Sequence, residues 1–235
     1  YEQDNNLSNG AEEIEWRILA IEGNTALIVS VMGLDAKPYH EPGGYITWED
    51  STLRSWLNNE FYNASFSEEE RAKIKRTHIV NKDSPYHGTE GGNDTEDDIF
   101  LLSIAEAKKY FSGRDDRKMK PTKYAIANGA WTDSDNDNAY WWLRSPGHFQ
   151  NYAAGVFSTG DILDIGHNVS YAVDSVRPAL RINLIAAQVP TTPDFAQEQA
   201  SSISPDIKVG DIIQFGRYEQ DNNLSNGAEE IEWRI

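Results

Sequence analysis

The sequence predicts an α+β domain, short helices packed on antiparallel β-sheet, that recurs as a tandem unit. Three observations carry this. Residues 1–18, YEQDNNLSNGAEEIEWRI, return letter for letter as residues 218–235. The front half holds two capping boxes, Ser67-x-x-Glu70 and Ser103-x-x-Glu106, each the opening of a short helix. The back half is a succession of short β-branched and aromatic runs parted by Gly and Asn. The duplication sets a period of 217 residues. A solenoid repeat runs about 20–50 residues, so beads on a string are expected rather than a stacked superhelix.

Taken in order, residues 14–21 (IEWRILAI) and 25–32 (TALIVSVM) flank a Gly23-Asn24 turn and predict a β-hairpin. Leu53, Trp56, Leu57 and Phe61 then fall on one face of a helix behind the polar lead Asp50-Ser51. The two capping boxes follow, separated by a Gly/Asp/Asn-rich loop over 81–98 and a buried strand over 98–102. Residues 121–128 predict a helix with Pro121 at its start and Gly129 at its stop. Strands are predicted over 139–143, 153–158, 161–165 and 173–184, with a hairpin turn at 158–161. Residues 186–205 shift to Ala, Gln, Ser, Thr and Pro and read as a solvated, extended linker. A last strand lies within 206–220 (DIKVGDIIQFGRYEQ), with no counterpart before Tyr1. The expected division is a domain over 1–185 lacking its first strand, a linker over 186–205, and the first strands of the next repeat over 206–235.

The formal charge of −17 repels phosphate backbones and argues against nucleic acid as a partner, while it suits a surface-displayed chain and would attract calcium. Cysteine is absent, which removes disulfides, zinc–thiolate sites and thiol catalysis together. No apolar run is long enough to span a bilayer, and no signal peptide is seen. Twenty-six aromatic residues (Trp 7, Tyr 11, Phe 8) promise a substantial core.

The motifs WWLRSPG (141–147) and SVRPALRINL (175–184), with GDIIQFGRYEQ (210–220), IEWRIL (14–19) and TWEDSTLRSWLNNEFYNASFSEEE (47–70), resemble an uncharacterised bacterial family of unknown function. The resemblance implies a secreted or surface setting in Gram-positive gut bacteria. The element order, helices first and a closing sheet with W-W and V-R-P strands, is also similar to the C-type-lectin-like fold of formylglycine-generating enzymes and retroelement-diversified receptors. The reactive cysteine pair of those enzymes is missing here, so their activity does not carry over. Fold alone supplies no reaction, and function has to be argued from sites.

Asp133, Asp135 and Asp137 alternate like the first three ligands of an EF-hand loop, but Asn138 and Arg144 stand where that loop needs Gly and Glu. A looser calcium site and a solvated polar loop both stay open. Asp94, Glu96, Asp97 and Asp98 form a second acidic run, read as a solvated face. Arg144 and Arg177 sit in apolar strands and would need carboxylate partners there. Trp141 and Trp142 alternate across a strand, leaving one indole core and the other either core or surface. The stretch 148–171 corresponds to the ligand face of lectin-like folds. With Trp141 it supplies candidate ligand-binding residues Tyr152, Phe157, Asp161, Asp164, His167, Asn168 and Tyr171. Ordinary hairpins with cross-strand aromatic pairs explain the same residues. The five histidines have no metal-binding spacing, and no catalytic motif appears, so no enzyme activity is expected.

The seam offers a mechanism. Ile207, Val209, Ile212, Ile213, Phe215 and Tyr218 form a spare strand for a sheet that lacks its first. The linker reaches at most roughly 65–70 Å when extended, enough for docking on its own body or on a neighbour's. The expected role is therefore a structural repeat of an extracellular bacterial surface fibre or adhesin stalk, with neighbouring copies as partners. The alternative is a module binding glycan or host surface protein, with calcium as the one cofactor left open.

Overall fold

The computed structural model describes residue 3, residues 12–184 and residues 207–216 of the chain. The predicted hairpin forms from β1 (Glu15–Glu22) and β2 (Thr25–Ser30), with Glu22 opposite Thr25. Gly23 turns the corner at φ +59°, a conformation open to glycine without steric cost. After β3 (Asp35–Ala36), Ser51 caps α1 (Thr52–Trp56) by accepting from the Arg54 amide. The helix runs on through a π-helical turn, Leu57–Phe61, into α2 (Tyr62–Ser65). The expected apolar face is buried at Leu53, Leu57 and Phe61, with Trp56 packed partly buried beside them. Both capping boxes form with their reciprocal bonds, opening α3 (Glu68–Lys73) and α4 (Ile104–Tyr110).

Between those helices lie β4 (Thr77–Ile79), β5 (Thr95–Asp97) and β6 (Ile99–Phe100). A short α5 (Arg114–Arg117) precedes α6 (Lys123–Ala127). The start of α6 differs from expectation: Thr122, not Pro121, is the boundary residue, because its hydroxyl accepts from the Ala125 amide. The remaining strands are β7 (Trp141–Pro146), β8 (Tyr152–Val156), β9 (Ile162–Asn168), β10 (Ser175–Val176), β11 (Ala179–Asn183) and β12 (Ile212–Gln214).

One five-stranded sheet has the order β12-β1-β2-β11-β6 and is antiparallel throughout. The second, β3-β10-β7-β8-β9, is antiparallel except for the β10–β7 pair. β4 and β5 make a separate ribbon. The architecture is thus α+β with mostly antiparallel sheets and few, short helices. One apolar cluster joins both sheets and the helices, from Trp16 and Leu27 to Trp48, Phe61 and Trp141. No helix among the described residues is long and apolar enough to cross a membrane.

The run 173–184, read from the sequence as one strand, is split. β10 belongs to the second sheet and β11 to the first. Pro178 lies between them, and having no N–H it cannot continue a ladder as donor, although its carbonyl accepts from the Ser30 amide at 3.0 Å. Arg177 sits at this crossover and departs from the expected carboxylate pairing. Among the described residues no acid lies within ion-pair distance of it. Its Nε donates to the Ser30 carbonyl at 2.9 Å, and its guanidinium packs 4.9 Å from the Trp141 ring centroid and 5.3 Å from that of Phe111. Burial, helped by the nearby Arg17 charge, lowers its pKa to about 9. Arg144 does find an acid: it pairs with Glu106 and donates to the Leu101 carbonyl at 2.7 Å.

Candidate functional site

The first candidate region is the seam. β12 lies at the outer edge of the first sheet, antiparallel to β1, with Ile213 opposite Trp16 and Ile212 opposite Arg17. Main-chain bonds extend beyond that short ladder. Phe215 N donates to Ile14 O at 3.1 Å, Ile14 N to Gly216 O at 3.2 Å, Ile18 N to Asp211 O at 2.9 Å, and Gly210 N to Ile18 O at 2.8 Å. The Trp16 indole N–H donates to the Phe215 carbonyl at 2.7 Å inside the core. Phe215 is 4% exposed, its ring 5.3 Å from Phe66. Gly216 then turns at φ +88° and donates to Glu70 Oε1 at 2.7 Å. Glu70 therefore serves twice, because its other oxygen closes the capping box on Ser67 N at 2.8 Å.

The residues named for this strand divide by side. Phe215 is buried and Ile213 packs partly buried on the core, as does Ile207. Ile212 and Val209 face outward, 50% and 61% exposed. Tyr218 lies outside the described residues, as does the 186–205 linker.

The second region surrounds Tyr140, just ahead of β7. Trp131 stacks on its ring at 4.5 Å and 25°, Phe157 meets it edge-on at 5.5 Å, and His167 lies at 5.4 Å. His167 also contacts Tyr171 at 5.8 Å. Behind the imidazole is Asp174, 1% exposed, with its carboxylate oxygens 2.8 and 3.0 Å from Nδ1. Burial raises the Asp174 pKa, and the contact with His167 only partly offsets it. Tyr140 is raised as well, by burial first and then by the charges of Asp174 and Asp133. Trp131 and Tyr171 remain open to solvent on the outer side.

The other candidates fall out as follows. Phe157, His167 and Tyr171 come together here. Trp141 does not: both Trp141 and Trp142 are fully buried, which corrects the placing of Trp141 on a ligand face. The Trp141 indole donates to the Arg117 carbonyl at 3.1 Å and the Trp142 indole to the Lys37 carbonyl at 2.9 Å. Asp161 pairs with Arg114 at 3.2 Å, and Asn168 accepts from Ser170 in a local turn. Asp164 and Tyr152 belong to a separate cluster: Asp164 lies 3.0 Å from His87, whose ring sits 4.6 Å from His148, with Phe149 leading on to Tyr152.

The alternating aspartates are not gathered around a point. Asp133 accepts from the Asp135 amide at 2.9 Å and from Ser158 Oγ at 3.2 Å, while Asp137 faces Lys120 at 3.3 Å. Among the described residues no group of three His, Cys, Asp or Glu side chains is arranged to hold a metal ion. The second acidic run is dispersed into structural pairs and is only in part a solvated face. Asp97 is fully buried, bonded to Arg54 Nε (2.7 Å), Trp48 Nε1 (2.8 Å) and Thr95 Oγ1 (2.9 Å). Asp94 and Glu96 flank His78, and Asp98 faces Arg76.

Trp131, Tyr140, Asp174 and Glu70 are the residues that sequence reasoning passed over. Each acts through partners far away in the chain or in a loop without periodicity. Glu70 alone carried a signal, its capping box, and that signal spoke only for the helix.

No curated protein and no solved structure matches the chain. Comparison with protein families does give a match, to the family described as Domain of unknown function (DUF6273), over residues 23–184. The matched stretch runs from the β1–β2 turn to the end of β11, more than half of the sequence, and the chain belongs to the DUF6273 family.

Proposed function

We propose that this chain is a structural repeat unit of an extracellular bacterial surface fibre or adhesin stalk, its units joined by strand complementation at the β12–β1 seam. The observation that carries the reading is the seating of Phe215 in the core, 199 residues from the Trp16 whose indole it receives. A strand so remote in sequence completes the sheet through side-chain anchors and main-chain bonds that any copy of the same segment would supply equally. The duplication of residues 1–18 at 218–235 supports a tandem period of 217 residues, and the acidity supports a surface-displayed chain. For the fold, the arrangement of short helices on two largely antiparallel sheets is compatible with a C-type-lectin-like architecture.

The test is a fragment ending at residue 205, followed by size-exclusion chromatography with light scattering. The expected result is an unstable or aggregating protein that a peptide of residues 207–235 restores. A well-folded, monomeric truncation refutes the role of the strand. The second reading, a ligand-binding module, is favoured by the exposed rings of Trp131 and Tyr171 around Tyr140. A glycan array with and without chelator tests its glycan and calcium versions.

A further inference from the structure

We propose that the Tyr140 face is a binding site for an alkylated ammonium group, held on the rings of Trp131 and Tyr171 with Asp133 as its counter-charge. The site does not involve β12 and stands apart from the seam. Its rim is Trp131, Val173 and Tyr171, which are 41%, 40% and 52% exposed. The rim is tied together where Trp131 N donates to the Val173 carbonyl at 3.0 Å. Its floor is Tyr140 with Phe157 and His167 against it, so the rings form one continuous strip. Aromatic faces carry negative electrostatic potential and attract cations, most strongly where water is partly excluded.

The charges beneath the strip point the same way. Asp133 is half-buried and is engaged by a backbone amide and the Ser158 hydroxyl, and among the described residues no Lys or Arg lies within ion-pair distance of it. Asp174 is sealed behind His167. Lys120 faces Asp137 at 3.3 Å. Burial raises the Tyr140 pKa first, and the charges of Asp174 and Asp133 add to it, as the field of carboxylates lying near the strip would. A neutral sugar would gain the ring faces and nothing from that field. A metal ion would gain the field but finds no convergent ligands. An ammonium wrapped in methyl groups gains both.

The experiment is calorimetric titration of the full chain with choline, with its neutral isostere 3,3-dimethylbutan-1-ol, and with methyl β-glucoside. Choline is expected to bind saturably, about tenfold or more tighter than the isostere, as cation–π contact near carboxylates requires. Trp131→Ala and Asp133→Asn are each expected to weaken choline about fivefold or more, and circular dichroism checks that both variants keep their fold. Because Trp131 is a rim residue and Asp133→Asn is isosteric, one folded variant suffices. Co-sedimentation with phosphatidylcholine vesicles then separates a lipid headgroup from a free ammonium, either being the proposed chemistry. Equal affinity for the isostere, preference for the glucoside, absence of saturable binding, or binding unmoved in both variants would each overturn the proposal.

Discussion

Phe215→Ala is the sharpest probe of the seam. The ring is 4% exposed, packs 5.3 Å from Phe66, and occupies the end of a strand whose other apolar residues are only partly covered. Truncating a buried Phe costs about 3–5 kcal/mol. The substitution also loosens the backbone that receives the Trp16 indole, and a buried indole N–H left without an acceptor costs about 1–3 kcal/mol. The global loss cannot exceed what the docked strand contributes, because beyond that point the strand detaches and the rest unfolds on its own. Two readouts separate these regimes. Urea unfolding followed by tryptophan fluorescence should show the midpoint falling by about 1–2 M, given a slope of about 1–3 kcal/mol per M. Hydrogen exchange should show the Ile14 and Ile18 amides, bonded to Gly216 and Asp211, losing protection first. Ile212→Ala is the control: half exposed on the same strand, it should cost less than about 1 kcal/mol. If Phe215→Ala behaves like Ile212→Ala in both assays, the strand is not anchored as described.

Three further outcomes follow from the geometry. Gly216→Ala would put Cβ 2.6 Å from the Ser65 carbonyl at φ +88°, so a loss of at least about 1–2 kcal/mol in urea unfolding is expected. Glu106→Gln leaves Arg144 buried without its acid, a cost of about 3–5 kcal/mol at neutral pH. Burial would raise the Glu106 pKa, but the Arg144 charge and the bonds from Arg144 and Ser103 outweigh it and hold it below 4.5. The pair's contribution is therefore complete above that value and fades as pH falls through the folded pKa, so the gap between wild type and variant should close in acid. Finally, Glu15→Cys with Gln214→Cys joins register partners in a chain that has no other cysteine. Non-reducing electrophoresis after oxidation should show an internally linked monomer in dilute solution and a disulfide-linked ladder when concentrated, and the absence of both would refute the register.

What the sequence showed reliably was local. Ser67 with Glu70 and Ser103 with Glu106 lie three residues apart, and a capping box needs nothing else, so both helices began where expected. The β1–β2 hairpin was equally plain because its turn chemistry and its two apolar runs adjoin. Contacts made across turns and loops without periodicity were not legible, even at short separation. Nothing near residue 174 says that its carboxylate is sealed behind His167, and nothing near Tyr140 says that Trp131 folds back onto its ring. The alternation rule put Trp141 and Trp142 on opposite faces, but it cannot tell that both faces are covered. Burial cost alone asked for an acid beside Arg177, whereas two ring faces and the Ser30 and Arg117 carbonyls took its place. Of the residues singled out in the stretch 148–171, Phe157, His167 and Tyr171 lie together, while their neighbours Trp131, Tyr140 and Asp174 fall outside that stretch.

The duplication raises a question of choice that the contacts can answer. The strand ending at Phe215 lies between two identical acceptor sequences, Trp16 being 199 residues before it and Trp233 only 18 after it. Because the body between Trp16 and β11 is already folded, the loop closed by docking upstream is only the connection from β11 to β12. That connection is similar in length to the stretch from Phe215 to Trp233, so loop-closure entropy separates the two copies by no more than about 0.5 kcal/mol. The nearer β1 sequence is not by itself an acceptor, however. Phe215 is held by Phe66, and the Gly216 amide by Glu70, so docking needs the helices of a complete body as well as a free sheet edge. The upstream body supplies them, and there the strand docks. Where a complete body follows, the same contacts become available on both sides of the strand, and docking on one body while tethered to the other is what links successive units. Exchange between chains offers identical contacts again, so concentration decides it. Copies join when their local concentration exceeds the effective concentration of the tethered strand, on the order of millimolar for a short flexible tether. A crowded surface layer meets that condition more readily than dilute solution, and the length of the segment between β11 and β12 is the variable that sets the threshold.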